Sequence, residues 1–228
     1  MSNEIFPIGH IYTDFPEKFG IPRQSGLIDE LEGTIVLEPE YRSEEAFRGL
    51  EKYDYIWLIW SFSENNKERP FNATVKPPRL GGNKRMGVFA TRSPYHPNNI
   101  GLSCVKLKEI KIDEKLGPVL TVSGIDQMNG TPIYDIKPYI PYTDSHAKAK
   151  AGFSDDVREY ELEVQFPEEL LKVYSEEKQR AAVALLKQDP RPAYQRDEER
   201  QYGVSFAGYD IHFRVKDKVL QVVEVVRL

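Results

Sequence analysis

The apolar positions of this 228-residue chain fall into short runs, and most of those runs alternate. Val105, Leu107, Ile110 and Ile112 carry the clearest period of two, inside a stretch from Gly101 to Asp113. That period turns one face of a strand inward and the other outward. Similar patterning predicts strands at 33–39 (GTIVLEP), 86–93 (MGVFATRS) and 119–127 (VLTVSGIDQ). The run YIWLIWSFS, 55–63, is apolar and aromatic yet far too short to cross a membrane, which predicts a strand buried on both faces. Pro77-Pro78, Gly81-Gly82, Gly117-Pro118 and Gly130-Thr131-Pro132 punctuate the joins. One helix is predicted among these strands, from Ser43 to Lys52, with Ser43 as N-cap and Glu44 and Glu45 in its first turn. Many closely spaced strands with so little helix predict a barrel or sandwich rather than a doubly wound parallel sheet.

The pattern then changes. Residues 145–159 lack periodicity and read as a linker. A strand follows at 160–166, then a helix opened by Pro167, Glu168 and Glu169. Its apolar pairs are Leu170/Leu171, Val173/Tyr174, Ala181/Ala182 and Leu185/Leu186, and the polar SEEKQR between them is a point where it can split in two. The prolines of QDPRPAY end it. The last stretch reads as a hairpin turning near Lys216-Asp217-Lys218. The expected organisation is therefore mainly β: a β-rich domain over 1–150 and a small α+β appendage over 151–228.

Charge changes this picture in one place. The chain carries a net −5, yet from Arg69 to Lys108 there are eight basic residues and no Asp or Glu. Such a segment is either a solvated basic surface or an anion-binding face. The N-terminus shows no basic region followed by an apolar stretch, and the single cysteine, Cys104, fits a reducing compartment, so a cytoplasmic protein is expected. Cys104 lies in an alternating run and reads as a buried, inert thiol. Four histidines and one cysteine offer no zinc spacing, so no metal is expected. There is no Gly-x-Ser-x-Gly elbow, phosphate loop or dinucleotide-binding turn.

What remains is a set of proline-braced polar loops: GIPRQSG (20–26), ATRSPYHPNNIG (90–101), DQMNGTPIYDIKPY (126–139) and DPRPAY (189–194). Any one of them alone is ordinary turn chemistry. Together they point to a preorganised site, because side chains fixed by prolines lose little entropy on binding. The Gly81-Gly82 pair is either a turn or a backbone anion nest beside Arg79, Lys84 and Arg85.

At these loops the chain resembles a known family, the bacterial and archaeal TsaA-like (YaeB-like) proteins. The matching words are PRQSGL, RGLEKYDYIWLI, VKPPRLGGNKRMGVFATRSPYHPNNIGLS, DQMNGTPIYDIKPYIP and DPRPAY, in order through most of the chain. The resemblance implies an N-terminal single-sheet β-barrel that binds S-adenosylmethionine, and a homodimer with the cofactor pocket near the subunit interface. It also implies methylation of N6 of threonylcarbamoyladenosine at position 37 of threonine tRNA. Carried over by residue, the cofactor pocket takes in Pro22, Arg23, Gln24, Ser63, Glu64, Arg92, Leu102, Gly130, Thr131, Pro132 and Ile133. The chain departs from the family at Ser63-Glu64, where His-Gln is common, and at His96-Pro97-Asn98-Asn99, where Arg-Pro-Asn-Pro is common.

Methyl transfer to a ureido nitrogen asks for alignment and for a proton acceptor. Asp135 and Asp189 are the candidate bases or else structural turn carboxylates, and Tyr194 completes the catalytic set. Arg79, Lys84, Arg85 and Arg191 are the candidate partners of tRNA phosphates, with Tyr95, Tyr139 or Tyr194 available to stack on a loop base. Two alternatives stay open: a non-catalytic barrel that binds S-adenosylmethionine or RNA, and a methyltransferase of the same fold with another substrate.

Overall fold

The structure is a computed structural model that describes residues 4–63, 70–77, 84–157, 161–191 and 197–228. Eight strands precede residue 140: β1 (Gly9–Thr13), β2 (Glu32–Leu37), β3 (Tyr55–Ser61), β4 (Thr74–Val75), β5 (Met86–Gly87), β6 (Ile100–Asp113), β7 (Gly117–Ser123) and β8 (Thr131–Pro138). Six of them close into a barrel in the order β1-β2-β7-β6-β3-β8, with every neighbour antiparallel. Closure leaves no unpaired edge. Ile11, Ile35, Ile56, Leu58, Leu120 and Ile133 fill the interior at 0% exposure, so the barrel is a packed plug. A ligand must sit at a rim or on the outer wall.

The alternation along β6 slips from odd positions (105, 107) to even ones (110, 112) because a bulge interrupts its pairing with β7 between Leu107 and Glu109. In β3 only one face enters the barrel, through Ile56, Leu58 and Trp60. The other face is covered instead: Trp57 packs on Tyr139 at 5.8 Å and donates its indole N–H to Asp144. Asp144 ends the short helix α1 (Pro141–Asp144).

Several expectations change. The helix predicted over 43–52 is two short 3₁₀ turns, at Glu44–Phe47 and Leu50–Lys52, preceded by a third at Pro39–Tyr41. Gly49, at φ +91°, breaks the run, and the Ser43 side chain caps nothing. The strand predicted over 86–93 stops at Gly87 and gives way to a 3₁₀ turn at Val88–Ala90. Conversely, β1 and β8 were not foreseen as strands. Their glycines and prolines read as loop, but Pro132 pairs with His10 at the second position of β8, close to the strand's start, where a missing N–H is tolerated.

The C-terminal region contains β9 (Glu163–Gln165), α2 (Glu168–Leu171), α3 (Glu176–Lys187), β10 (Tyr202–Phe206), β11 (Tyr209–Lys216) and β12 (Val219–Arg227). Its sheet runs β10-β11-β12-β9, with β9 parallel to β12. The helical stretch is split, and Ser175 caps the second piece by accepting from the Lys178 N–H. Ala181, Ala182, Leu185 and Leu186 form its buried stripe. The final segment is a three-stranded meander rather than one hairpin. Its turns at Ala207-Gly208 and Asp217-Lys218 have both residues at positive φ, as two-residue hairpin turns prefer. No helix among the described residues is long and apolar enough to cross a membrane.

The antiparallel order gathers the loops. The connections β1–β2 (14–31), β3–β6 (62–99) and β7–β8 (124–130) all leave the same rim. Three of the four proline-braced motifs begin there.

Candidate functional site at one rim of the barrel

Two short chains of hydrogen bonds meet at this rim. Arg92 donates from Nη1 to Gln24 Oε1 at 2.6 Å, and Gln24 in turn donates to the Arg23 carbonyl at 2.6 Å. Deeper in, Trp60 donates its Nε1–H to Ser103 Oγ at 2.9 Å, and Ser103 donates to Asp126 Oδ1 at 2.6 Å. The backbone N–H of Ser25 also donates to Asp126, and the Arg92 charge acts on it. Burial dominates these stabilising contacts and pushes the Asp126 carboxyl up to about 6 from an ordinary 3.8. Its neighbour Gln127 is fully buried, accepts the Asp126 N–H on Oε1, and leaves Nε2 with no partner among the described residues.

The loop after β5 is braced by its own polar groups. Thr91 Oγ1 donates to the Val88 carbonyl at 2.7 Å and accepts from the Ser93 N–H. His96 Nε2 meets the Thr91 carbonyl at 2.8 Å, and Asn99, at φ +52°, donates from Nδ2 to the Phe62 carbonyl at 2.7 Å. Thus His96 and Asn99, two of the family departures, hold the loop that presents Arg92. Cys104 is half-buried; burial raises its thiol above the usual value, which keeps it protonated and inert. Among the described residues, no group of three or more His, Cys, Asp or Glu side chains could hold a metal.

The other candidates are placed less evenly. Ser63 is exposed at the end of β3. Glu64, Arg79 and Tyr194 lie outside the described residues, as does the Gly81-Gly82 pair. Thr131 is buried, with its hydroxyl on the Met128 carbonyl, and the Ile133 side chain is inside the barrel with its carbonyl taken by the Ile8 N–H. Gly130 holds the preceding turn at φ +77°, and Pro132 faces outward beside His10. Register places Leu102, Ile59 and Asp135 in one row across β6, β3 and β8 on the outer wall, since Leu58 beside them faces inward. Two strand spacings separate Leu102 from Asp135, about 10 Å. Asp135 pairs with Lys137 at 2.8 Å and accepts the Ile136 N–H.

Asp189, at φ +51°, binds Arg191 through two bonds, Nε to Oδ1 at 2.8 Å and Nη2 to Oδ2 at 2.9 Å. Both side chains are nearly buried. Lys84 and Arg85 stand exposed at the start of β5, and Arg85 donates to Thr74 Oγ1. At the other end of the β4–β5 ladder Phe71 and Phe89 stack at 6.4 Å while remaining 61% and 73% exposed. Asp126, Ser103, Trp60 and Gln127 escaped the sequence reading. The signal was the DQ of DQMNGTP, whose carboxylate read as turn chemistry although the strand order sends it inward.

These groups suit a small zwitterionic nucleoside. Arg92 can take a carboxylate, Asp126 can take hydroxyls or a sulfonium, and the orphaned Gln127 amide awaits an acceptor. With the barrel filled, these groups stand at its rim, where the TsaA-like resemblance implies a non-Rossmann, barrel-type S-adenosylmethionine-dependent methyltransferase. Comparison with known proteins makes this specific. Residues 10–145 match the tRNA-methyltransferase O N-terminal domain, and residues 159–228 match the TrmO C-terminal domain. The chain belongs to the TrmO family. It is 40% identical over 223 residues to the tRNA (adenine(37)-N6)-methyltransferase of Escherichia coli K12, covering 94% of each chain. It is also 40% identical over 221 residues to Pseudomonas aeruginosa RcsF, whose name describes an S-adenosylmethionine-dependent methyltransferase, covering 93% of each. A crystal structure of TrmO from Pseudomonas aeruginosa superposes with a TM-score of 0.80 at 34% identity, covering 100% of this chain and 98% of that one.

Proposed function

We propose that this protein methylates N6 of threonylcarbamoyladenosine at position 37 of threonine tRNA, acting as a cytoplasmic homodimer. The observation that carries the reading is the rim cluster of Arg92, Gln24, Asp126 and Gln127, in a chain that shares 40% identity with a tRNA (adenine(37)-N6)-methyltransferase across 94% of both lengths. S-adenosylmethionine, when bound, supplies an electrophilic methyl on a sulfonium. Pro22, Arg23, Gln24 and Arg92 would hold its charged end, and Asp126 and Gln127 its polar hydroxyls. The protein then has to align a weak nucleophile and remove one proton. Transfer of that methyl to the ureido nitrogen would leave the C–S electron pair on sulfur, and a carboxylate of this chain would take the displaced N–H proton.

Of the two candidate bases, Asp135 fits better. It lies on the outer wall in register with Leu102, whereas both oxygens of Asp189 already accept from Arg191. Asp135→Asn is expected to lower kcat by about 100-fold or more while leaving S-adenosylmethionine affinity within twofold. A parental rate would remove Asp135 from the mechanism. The decisive assay incubates threonine tRNA, with and without its threonylcarbamoyl group, with labelled S-adenosylmethionine, and reads the modified nucleoside by mass spectrometry. Label on unmodified adenosine, or none at all, would favour the alternative substrates.

Lys84 and Arg85 offer phosphate contacts at one end of the β4–β5 ladder, and the exposed Phe71–Phe89 pair offers a stacking surface at the other. Two such contacts predict that tRNA affinity falls by roughly 5- to 15-fold between 50 and 200 mM salt. Filter binding across that range measures it, and a flat curve excludes this face as the anchor.

A further inference from the structure

The segment that leads from β1 to Pro22–Gln24 is gripped along its length by the C-terminal domain. The Asp14 carbonyl accepts the Ala207 N–H at 3.1 Å, and its carboxylate pairs with Lys178. Phe15 packs against Phe206 at 5.5 Å, and Glu17 accepts from Ser205 Oγ at 3.0 Å. Gly20 follows at φ +88°, so close to β10 that a Cβ there would lie 2.1 Å from Val204 Cγ2. Past Gly20 the segment forms one wall of a cleft of about 40 Å³, from Gly20 to Arg23 with Leu27. Leu185, Gln188, Asp189 and Pro190 form the opposite wall.

The shape of that second wall depends on one ion pair. α3 ends at Lys187, and Asp189 then takes a left-handed conformation. The two bonds to the Arg191 guanidinium, together with the Arg191 N–H donated to Asp189 Oδ1 at 3.3 Å, fix the turn. The side chains are only 14% and 10% exposed, and the guanidinium lies 5.9 Å from the ring of Tyr202, on the strand that grips Gly20. A buried, forked pair of this kind is rigid, and breaking it strands a charge.

We propose that Asp189 and Arg191 are positioning residues: their pair locks the 188–191 turn as a brace against Gly20–Arg23, so that the C-terminal domain sets where the barrel presents Pro22–Gln24. This assigns the pair neither to proton transfer nor to tRNA phosphate. It rests on the reading above in which Pro22–Gln24 serve the cofactor. Displacing such a loop by about an ångström is enough to weaken a preorganised contact.

The full-length variants Asp189→Asn, which tolerates the left-handed backbone, and Arg191→Lys, which keeps the charge but loses the fork, test this. Calorimetry with S-adenosylmethionine, steady-state kinetics and amide hydrogen exchange over 20–24 are the readouts. The expected result is a 5- to 20-fold weaker S-adenosylmethionine Kd, kcat at saturating cofactor within threefold, tRNA KM unchanged, and faster exchange at 20–24 in the ligand-free protein. Val204→Ala, a milder loosening of the same grip that leaves the ion pair intact, should move Kd and exchange in the same direction by about two- to fivefold.

A collapse of kcat in Asp189→Asn with unchanged Kd would make Asp189 catalytic and overturn the proposal. A raised tRNA KM with a reduced salt slope in Arg191→Lys would make Arg191 a phosphate ligand and also overturn it. So would unchanged exchange in every variant, including Val204→Ala. If exchange quickens but the wild-type protein binds no S-adenosylmethionine, the brace stands and the cofactor reading fails.

Discussion

Gly101→Ala is expected to destabilise the protein by about 2–5 kcal/mol, combining an overpacked core with a lost buried hydrogen bond. A Cβ at Gly101 would lie 2.2 Å from Trp60 Cε2 and 2.5 Å from two further ring atoms. Such a contact is impossible without movement, and the ring has little freedom. It is 6% exposed, packs on Phe62 at 4.3 Å, and is held by its N–H on Ser103. Swinging the indole away releases Ser103, which in turn orients Asp126. The stability loss should therefore come with weaker S-adenosylmethionine binding. Urea unfolding measures the first effect and calorimetry the second. Trimming the ring with Trp60→Phe in the Gly101→Ala background should restore part of the stability, because the two side chains compete for one space. A loss under 1 kcal/mol would mean that the indole does not lie over Gly101.

The second large effect is on pH. Asp126 titrates near 6 in the folded chain and near 3.8 when exposed, so between those values the folded state holds a proton that the unfolded state has lost. Stability from this group is therefore greatest at low pH and falls as pH rises through the folded value. The full difference is about 3 kcal/mol, complete by pH 7 to 7.5. Other carboxyls titrate over the same range, so the useful quantity is the wild-type curve minus that of Asp126→Asn, which cannot ionise. That difference should slope downward between pH 4 and 6.5 in the ligand-free protein; a flat difference would mean the carboxyl is hydrated. Accepting the hydroxyls of bound S-adenosylmethionine favours the ionised form, so affinity should rise through the same window in wild type and not in Asp126→Asn.

Much of this molecule can be read from local pattern. The alternation in β6 even carries its own bulge, since Leu107 and Ile110 are out of phase with a single period. Strands whose alternation is hidden by proline or glycine, β1 and β8, were legible only through their partners. The run from Ser43 to Lys52 has helical composition, but one left-handed glycine outweighs it. The site divides in the same way. Arg92 and Gln24 stand out in rigid loops. Asp126 does not, because its burial comes from Ser103 and Trp60, strands away, and no spacing encodes that. The pairing of Asp189 with Arg191 is local and could be read; its bearing on Gly20 depends on two sheets meeting.

That meeting has a consequence for biosynthesis. All six barrel strands have been synthesised once residue 138 is made, and their antiparallel pairing can proceed as they emerge. The C-terminal sheet cannot, because β9 pairs with β12, which is synthesised more than fifty residues later. The approach to Pro22–Gln24, though near the start of the chain, therefore stays unsupported until nearly everything else has emerged. A nascent barrel can therefore be shaped long before that approach is held in place.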